Sequence, residues 1–161
     1  MLYEVYGDVI EDKTYDVFCH QTNCQGVMGA GVALQVKIKY PEVAKCDREY
    51  FLSKREQDHA GMLGTNVYIM TNDGRTCVNM YAQFHYRNDG TRKTDYIAFK
   101  RCLIRLINKL QTMDPSLKVA FPYGIGCGLG GGDWNVIKAM ISSFSEHVEQ
   151  DVYLVRLKPN S

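Results

Sequence analysis

Residues 20–33 read His20-Gln21-Thr22-Asn23-Cys24-Gln25-Gly26-Val27-Met28-Gly29-Ala30-Gly31-Val32-Ala33. They follow an apolar run, Tyr15 to Cys19, whose nearly continuous hydrophobicity is that of a strand covered on both faces. Beyond them Val32, Ala33, Val36 and Tyr40 recur at helical spacing, with Lys37 and Lys39 on the other side. The order is therefore strand, glycine loop, helix. Glycines allow backbone N–H groups to approach a ligand closely, and the positive end of the helix points at the same place. This layout suits an anionic small molecule.

Working outward, Leu2 to Val5 is a short strand ending at Gly7-Asp8-Val9-Ile10. Pro41 closes the first helix and suits the first turn of a second, expected to reach about Gln57 and to be anchored by Tyr50 and Phe51. Residues 66–70 and 76–81 are β-rich runs joined through Asp73-Gly74, which predicts an antiparallel hairpin. Phe84 to Lys93 reads as a polar loop. From Thr94 to about Met113 the residues Phe99, Cys102, Leu103, Leu106, Ile107 and Leu110 form a core-facing helical stripe. Lys118 to Pro122 is a strand running into a second glycine-rich segment, Tyr123 to Gly132. Asp133 is placed to cap a helix with the stripe Ile137, Met140, Ile141, Phe144 and Val148, and Asp151 to Arg156 is a final strand. Alternating strands and helices with one hairpin predict a three-layer α/β/α fold, a mixed, mostly parallel sheet of about six strands, in one domain over residues 1–161.

Composition narrows the function classes. A net charge of +1 with no run of one sign gives little electrostatic basis for binding a polyanion or a membrane surface. The six cysteines lack C-x-x-C spacing, and several fall in apolar runs, so they read as reduced, buried thiols. No signal-peptide pattern or membrane-length apolar run occurs, so a cytoplasmic or nuclear monomer is expected. Neither G-x-G-x-x-G after the first strand nor G-x-x-x-x-G-K-[ST] is present. Cys19, His20, Cys24 and Cys127 have no short metal-ligand spacing, and neither a metal nor another cofactor is expected.

Gly7-Asp8-Val9, His20-Gln21-Thr22-Asn23 with Gly29-Ala30-Gly31-Val32-Ala33, and Pro122-Tyr123-Gly124-Ile125-Gly126-Cys127-Gly128-Leu129 together resemble a macrodomain, the ADP-ribose-binding α/β/α module. Within it the chain is similar to the terminal-ADP-ribose glycohydrolase-like branch and to the yeast ADP-ribose-1″-phosphate phosphatase. The resemblance implies that Asp8 accepts from the adenine amino group beside Val9, and that Asn23 bonds the distal ribose. Gly29, Ala30, Gly31 and Val32 would line one side of the diphosphate, and Ile125, Gly126, Cys127, Gly128 and Leu129 the other. The glycohydrolase-like branch also uses a lysine in the segment matching Met80 to Gln83 and an acidic residue where Gly130 stands. This chain has neither, so a lysine–aspartate covalent mechanism is not supported.

Three residues are candidates for catalysis. His20, with an ordinary pKa of about 6.5, is either the proton-transfer group or a side chain that fixes the loop. Asn23 binds the ribose or shapes the turn. Asp133 caps its helix, acts as a carboxylate, or does both. The expected function is binding of ADP-ribose or a derivative with hydrolysis at the distal ribose. The substrate would be ADP-ribose-1″-phosphate or an ADP-ribosylated protein, with nucleic acid entering only as a modified substrate. The alternative is a reader that binds without turnover.

Overall fold

The computed structural model describes residues Met1–Pro159. Six strands, β1 (Leu2–Tyr6), β2 (Val17–Asn23), β3 (Asn66–Met70), β4 (Thr76–Gln83), β5 (Lys118–Pro122) and β6 (Asp151–Arg156), form one sheet in the order β1-β6-β5-β2-β4-β3. Every neighbouring pair is parallel except β3 and β4, the Asp-Gly hairpin. The mixed, mostly parallel sheet is as the alternation of elements predicts.

Helices α1 (Gly31–Lys39) and α2 (Pro41–Leu52) cover one face, while α3 (Tyr96–Leu110) and α4 (Trp134–Ser145) cover the other. The α3 stripe packs with Ile137, Ile141 and Phe144 of α4 onto Val17, Cys19, Val119 and Leu154. Across the sheet Val36, Tyr40 and Val43 meet Phe18, Cys77 and Ala120. Helix α3 contains the whole stripe but is shorter than the expected span from Thr94 to about Met113: Asp95 caps its start, accepting from the Ala98 amide at 2.9 Å, and it ends at Leu110. Helix α2 likewise stops at Leu52, and a short 3-10 segment, Glu56–Met62, follows it.

The largest departure from expectation lies in β2. The strand starts at Val17 and continues through His20, Gln21, Thr22 and Asn23. Polar side chains there disguise a strand as a loop. They are tolerated because β4 runs alongside, with His20 opposite Asn79 and Thr22 opposite Tyr81 before a bulge sets Asn23 against Gln83.

Arg75 closes the hairpin loop and is almost wholly buried. Its guanidinium lies 4.1 Å over the Phe18 ring and donates to the carbonyls of Tyr15 (2.9 Å), Ile10 (2.7 Å) and Val9 (2.7 Å) and to the Tyr40 hydroxyl (3.0 Å). The planar fork thus ties the turn after β1 to the hairpin, through carbonyls instead of a carboxylate. Arg75→Met should leave three buried carbonyls without donors and lower unfolding stability by about 2–4 kcal/mol in a urea titration. A change within about 0.5 kcal/mol would show that these carbonyls have other partners.

Candidate functional site

In a parallel sheet ligands gather beyond the carboxyl ends of the strands. Here the carboxyl end of β2 is the floor of a cleft. Alternation sends Gln21 to the side of Cys19, facing α3 and α4, and His20 and Thr22 to the side of Phe18, facing α1 and α2. His20, Thr22 and Asn23 are all buried.

His20 Nε2 bonds the amide oxygen of Asn79. That oxygen only accepts, so Nε2 carries the proton and Nδ1 is bare. Burial pulls the imidazole down to about 4, only partly opposed by the Asn79 bond, and the ring is neutral at physiological pH. Among the described residues His20 Nδ1 and Thr22 Oγ1 have no protein partner. His20 is therefore a buried residue within the carboxyl-terminal part of β2, which runs on to Asn23 where the sequence places the strand end at Cys19.

On the other side of β2, Gln21 Nε2 donates to Gln83 Oε1 (2.8 Å) and Thr94 Oγ1 (2.9 Å), and Thr94 Oγ1 donates to the Gly126 carbonyl (2.6 Å). The Gly130 carbonyl in turn accepts from the amides of Lys93 (2.8 Å) and Thr94 (3.0 Å). The second glycine loop is thus moored to β2, β4 and the start of α3. Its glycines are needed for closeness. Gly126 has φ +76°, and a Cβ there would sit 2.8 Å from Gln21 Oε1, while one at Gly130 would sit 2.5 Å from Thr94 Oγ1.

The first loop is shaped by Asn23, whose Nδ2 donates to the Val27 carbonyl (2.8 Å) and whose Oδ1 accepts from the Gln25 amide (3.0 Å). One Nδ2 hydrogen remains for a ligand. Helix α1 then opens at Gly31 with no side-chain cap, so its first-turn amides keep their donor capacity.

Between the loops lies a cleft of about 550 Å³. It gathers most of the expected residues: His20, Asn23, Gly29, Ala30, Gly31, Val32, Ile125, Gly126, Gly128 and Leu129. Four others do not line it. Asp8 accepts from the amides of Ile10 (2.9 Å) and Glu11 (3.2 Å), closing its own turn, and Val9 is buried in the core beneath α1 and α2. Cys127 turns its Sγ back to the Ile125 carbonyl (3.4 Å). Asp133 caps α4, its Oδ1 accepting from the Asn135 amide (2.9 Å), which is the first of the roles its sequence position allows, and it does not line the cleft as a carboxylate. Sequence reading missed Gln21, Thr94 and Lys93. The first two look like ordinary polar residues until the fold brings them together. Among the described residues Lys93 is the only charged side chain in the lining. Cys19 and Cys24 point into different cores, and among the described residues no group of His, Cys, Asp and Glu is gathered to hold a metal ion.

No family model matches the chain. It is 31% identical over 156 residues to the DNA ADP-ribosyl glycohydrolase of Mycobacterium tuberculosis, covering 92% of this chain but 40% of that protein's length. With the ADP-ribose 1″-phosphate phosphatase of Saccharomyces cerevisiae the identity is 22% over 173 residues, covering 92% and 96% of the two chains. Among solved structures, the macrodomain of Mycobacterium tuberculosis DarG superposes with a TM-score of 0.80 at 24% identity over 99% of both chains. Thermosipho africanus DarTG in complex with ADP-ribose gives 0.75 at 19% identity, over 96% of this chain and 42% of that one. The six-stranded sheet between two helical layers superposes on those macrodomains over nearly its whole length, and this chain has the macrodomain fold.

Proposed function

We propose that the cleft binds ADP-ribose or a close derivative and that the protein hydrolyses it at the distal ribose. The observation that carries the binding half is the pair of backbone walls, Gly29–Val32 and Gly126–Leu129, facing each other over the polar end of β2. Backbone amides on both sides suit a diphosphate, which needs many donors at fixed positions. Asn23, with one free amide hydrogen, stands where a ribose hydroxyl would approach. The names of the two relatives support the same ligand class: one acts on ADP-ribosylated DNA and the other on ADP-ribose 1″-phosphate.

The bare, unpartnered Nδ1 of His20 supports hydrolysis. With Thr22 Oγ1 on the same side of β2, it would offer a water molecule one acceptor and one hydroxyl. In this scheme the water oxygen bonds to the distal C1″ or to its phosphorus. One water proton passes to Nδ1, and the bond to the leaving group breaks with its electron pair. Asn79 holds the ring in the required tautomer. A reader role is the second reading. It is favoured by the absence of any carboxylate among the described cleft-lining residues, since Asp133 is engaged at the α4 cap.

Calorimetry with ADP-ribose should give saturable heat, and its absence at millimolar ligand removes the binding proposal. Incubation with ADP-ribose 1″-phosphate or ADP-ribosylated protein should release ADP-ribose, and His20→Gln should slow release about 100-fold or more while ADP-ribose still binds. The base is active only when neutral, so turnover should hold constant down through pH 6.5 and fall only near pH 4, following the depressed imidazole. Tight binding without turnover of either substrate assigns the reader role.

A further inference from the structure

Gln83 at the end of β4 is the register partner of Asn23 and also bridges to Thr94, so Lys93 stands at the end of the cleft nearest Asn23, where on the ADP-ribose reading the distal ribose lies. Lys93 is unusual there. Its side chain is 5% exposed, it lines the cleft, and among the described residues no other formal charge does. Its ammonium lies 3.3 Å from Asp89 Oδ1 and donates to the Thr91 carbonyl at 2.8 Å, which leaves one N–H uncommitted. Its backbone is bonded to Gly130, so the stem is fixed relative to the second loop.

The counterion is differently placed. Asp89 is 45% exposed and is held by the Thr91 amide (3.0 Å) and hydroxyl (2.6 Å) as well as by Lys93. Those two bonds keep Asp89 seated when Lys93 turns away. An exposed carboxylate is a weak partner for a cation, because water screens it, whereas an anion inside the cleft would meet the ammonium in a drier place. A phosphate dianion also brings two charges where Asp89 brings one.

We infer that Lys93 is an anion subsite at the distal end of the cleft, taking a phosphate monoester carried on the distal ribose, with Asp89 as its resting partner. This rests on the ADP-ribose reading and narrows it, selecting a 1″-phosphorylated ligand over ADP-ribose itself and over conjugates with a neutral leaving group.

The test compares ADP-ribose with its non-hydrolysable 1″-phosphonate analogue by calorimetry on the wild-type protein and on K93Q, K93R and D89N. Wild type should bind the phosphonate about tenfold or more tighter than ADP-ribose. K93Q should erase that preference while changing ADP-ribose affinity less than about threefold, K93R should keep it, and D89N should enlarge it. Lys93 serving only as a tether for the loop predicts instead that both ligands weaken together in K93Q or that the preference survives in it. Either result overturns the subsite. ADP-ribose binding to wild type with no phosphonate preference also overturns the subsite but leaves the ADP-ribose reading standing. Binding of neither ligand overturns both.

Discussion

The structure depends on burying a polar strand end. Four consecutive polar side chains at the carboxyl end of β2 enter the interior of a parallel sheet, where an unpaired polar group costs on the order of 1–3 kcal/mol. Three of the four find partners on other elements, while His20 Nδ1, Gln21 Oε1 and Thr22 Oγ1 have none among the described residues. Asn79 on β4 takes His20, and Gln83 and Thr94 take Gln21, while the Val27 carbonyl takes Asn23. These bonds bring together β2, β4, the segment before α3 and the first loop. Through Thr94 they extend to Gly126 and so to the second loop. The cleft is a product of that satisfaction.

The same constraint explains the cleft's chemistry. A floor of neutral side chains lies under walls of glycine backbone, so in the proposed binding mode the amide donors do the recognising and loop shape matters more than charge along the walls. Shape is secured in turn by the moorings behind the loops. Arg75 does comparable work at the other end of the sheet, using a buried cation to collect the carbonyls of the turn that follows β1. In both places a long-range polar contact holds a backbone turn where local propensity would leave it free.

The legible parts of the fold were those with local signals. Strands β5 and β6, the Asp-Gly hairpin, the α3 stripe and the Asp133 cap each rest on residues within one or two turns of one another, and all appear where the sequence places them. The glycine walls were legible because a tight turn needs only one or two glycines, and a longer series points to close approach of the backbone. His20 to Asn23 read as a loop because polarity is normally a surface signal, and the residues that make it a strand lie far along the chain. Gln21 meets Thr94 across 73 positions and His20 meets Asn79 across 59. No periodicity links them. Lys93 escaped notice for the same reason, since a lysine in a polar loop looks solvated until the fold shows its side chain nearly covered.

The central claim is that two backbone walls clamp one ligand, and amide chemical shifts report on each wall separately. Titrating the isotope-labelled protein with ADP-ribose should move the amide signals of Gly29–Val32 and of Gly126–Leu129 together along one saturation curve, with the hairpin at Thr71–Arg75 unchanged. Shifts confined to one wall, or to neither while residues elsewhere respond, would contradict the account.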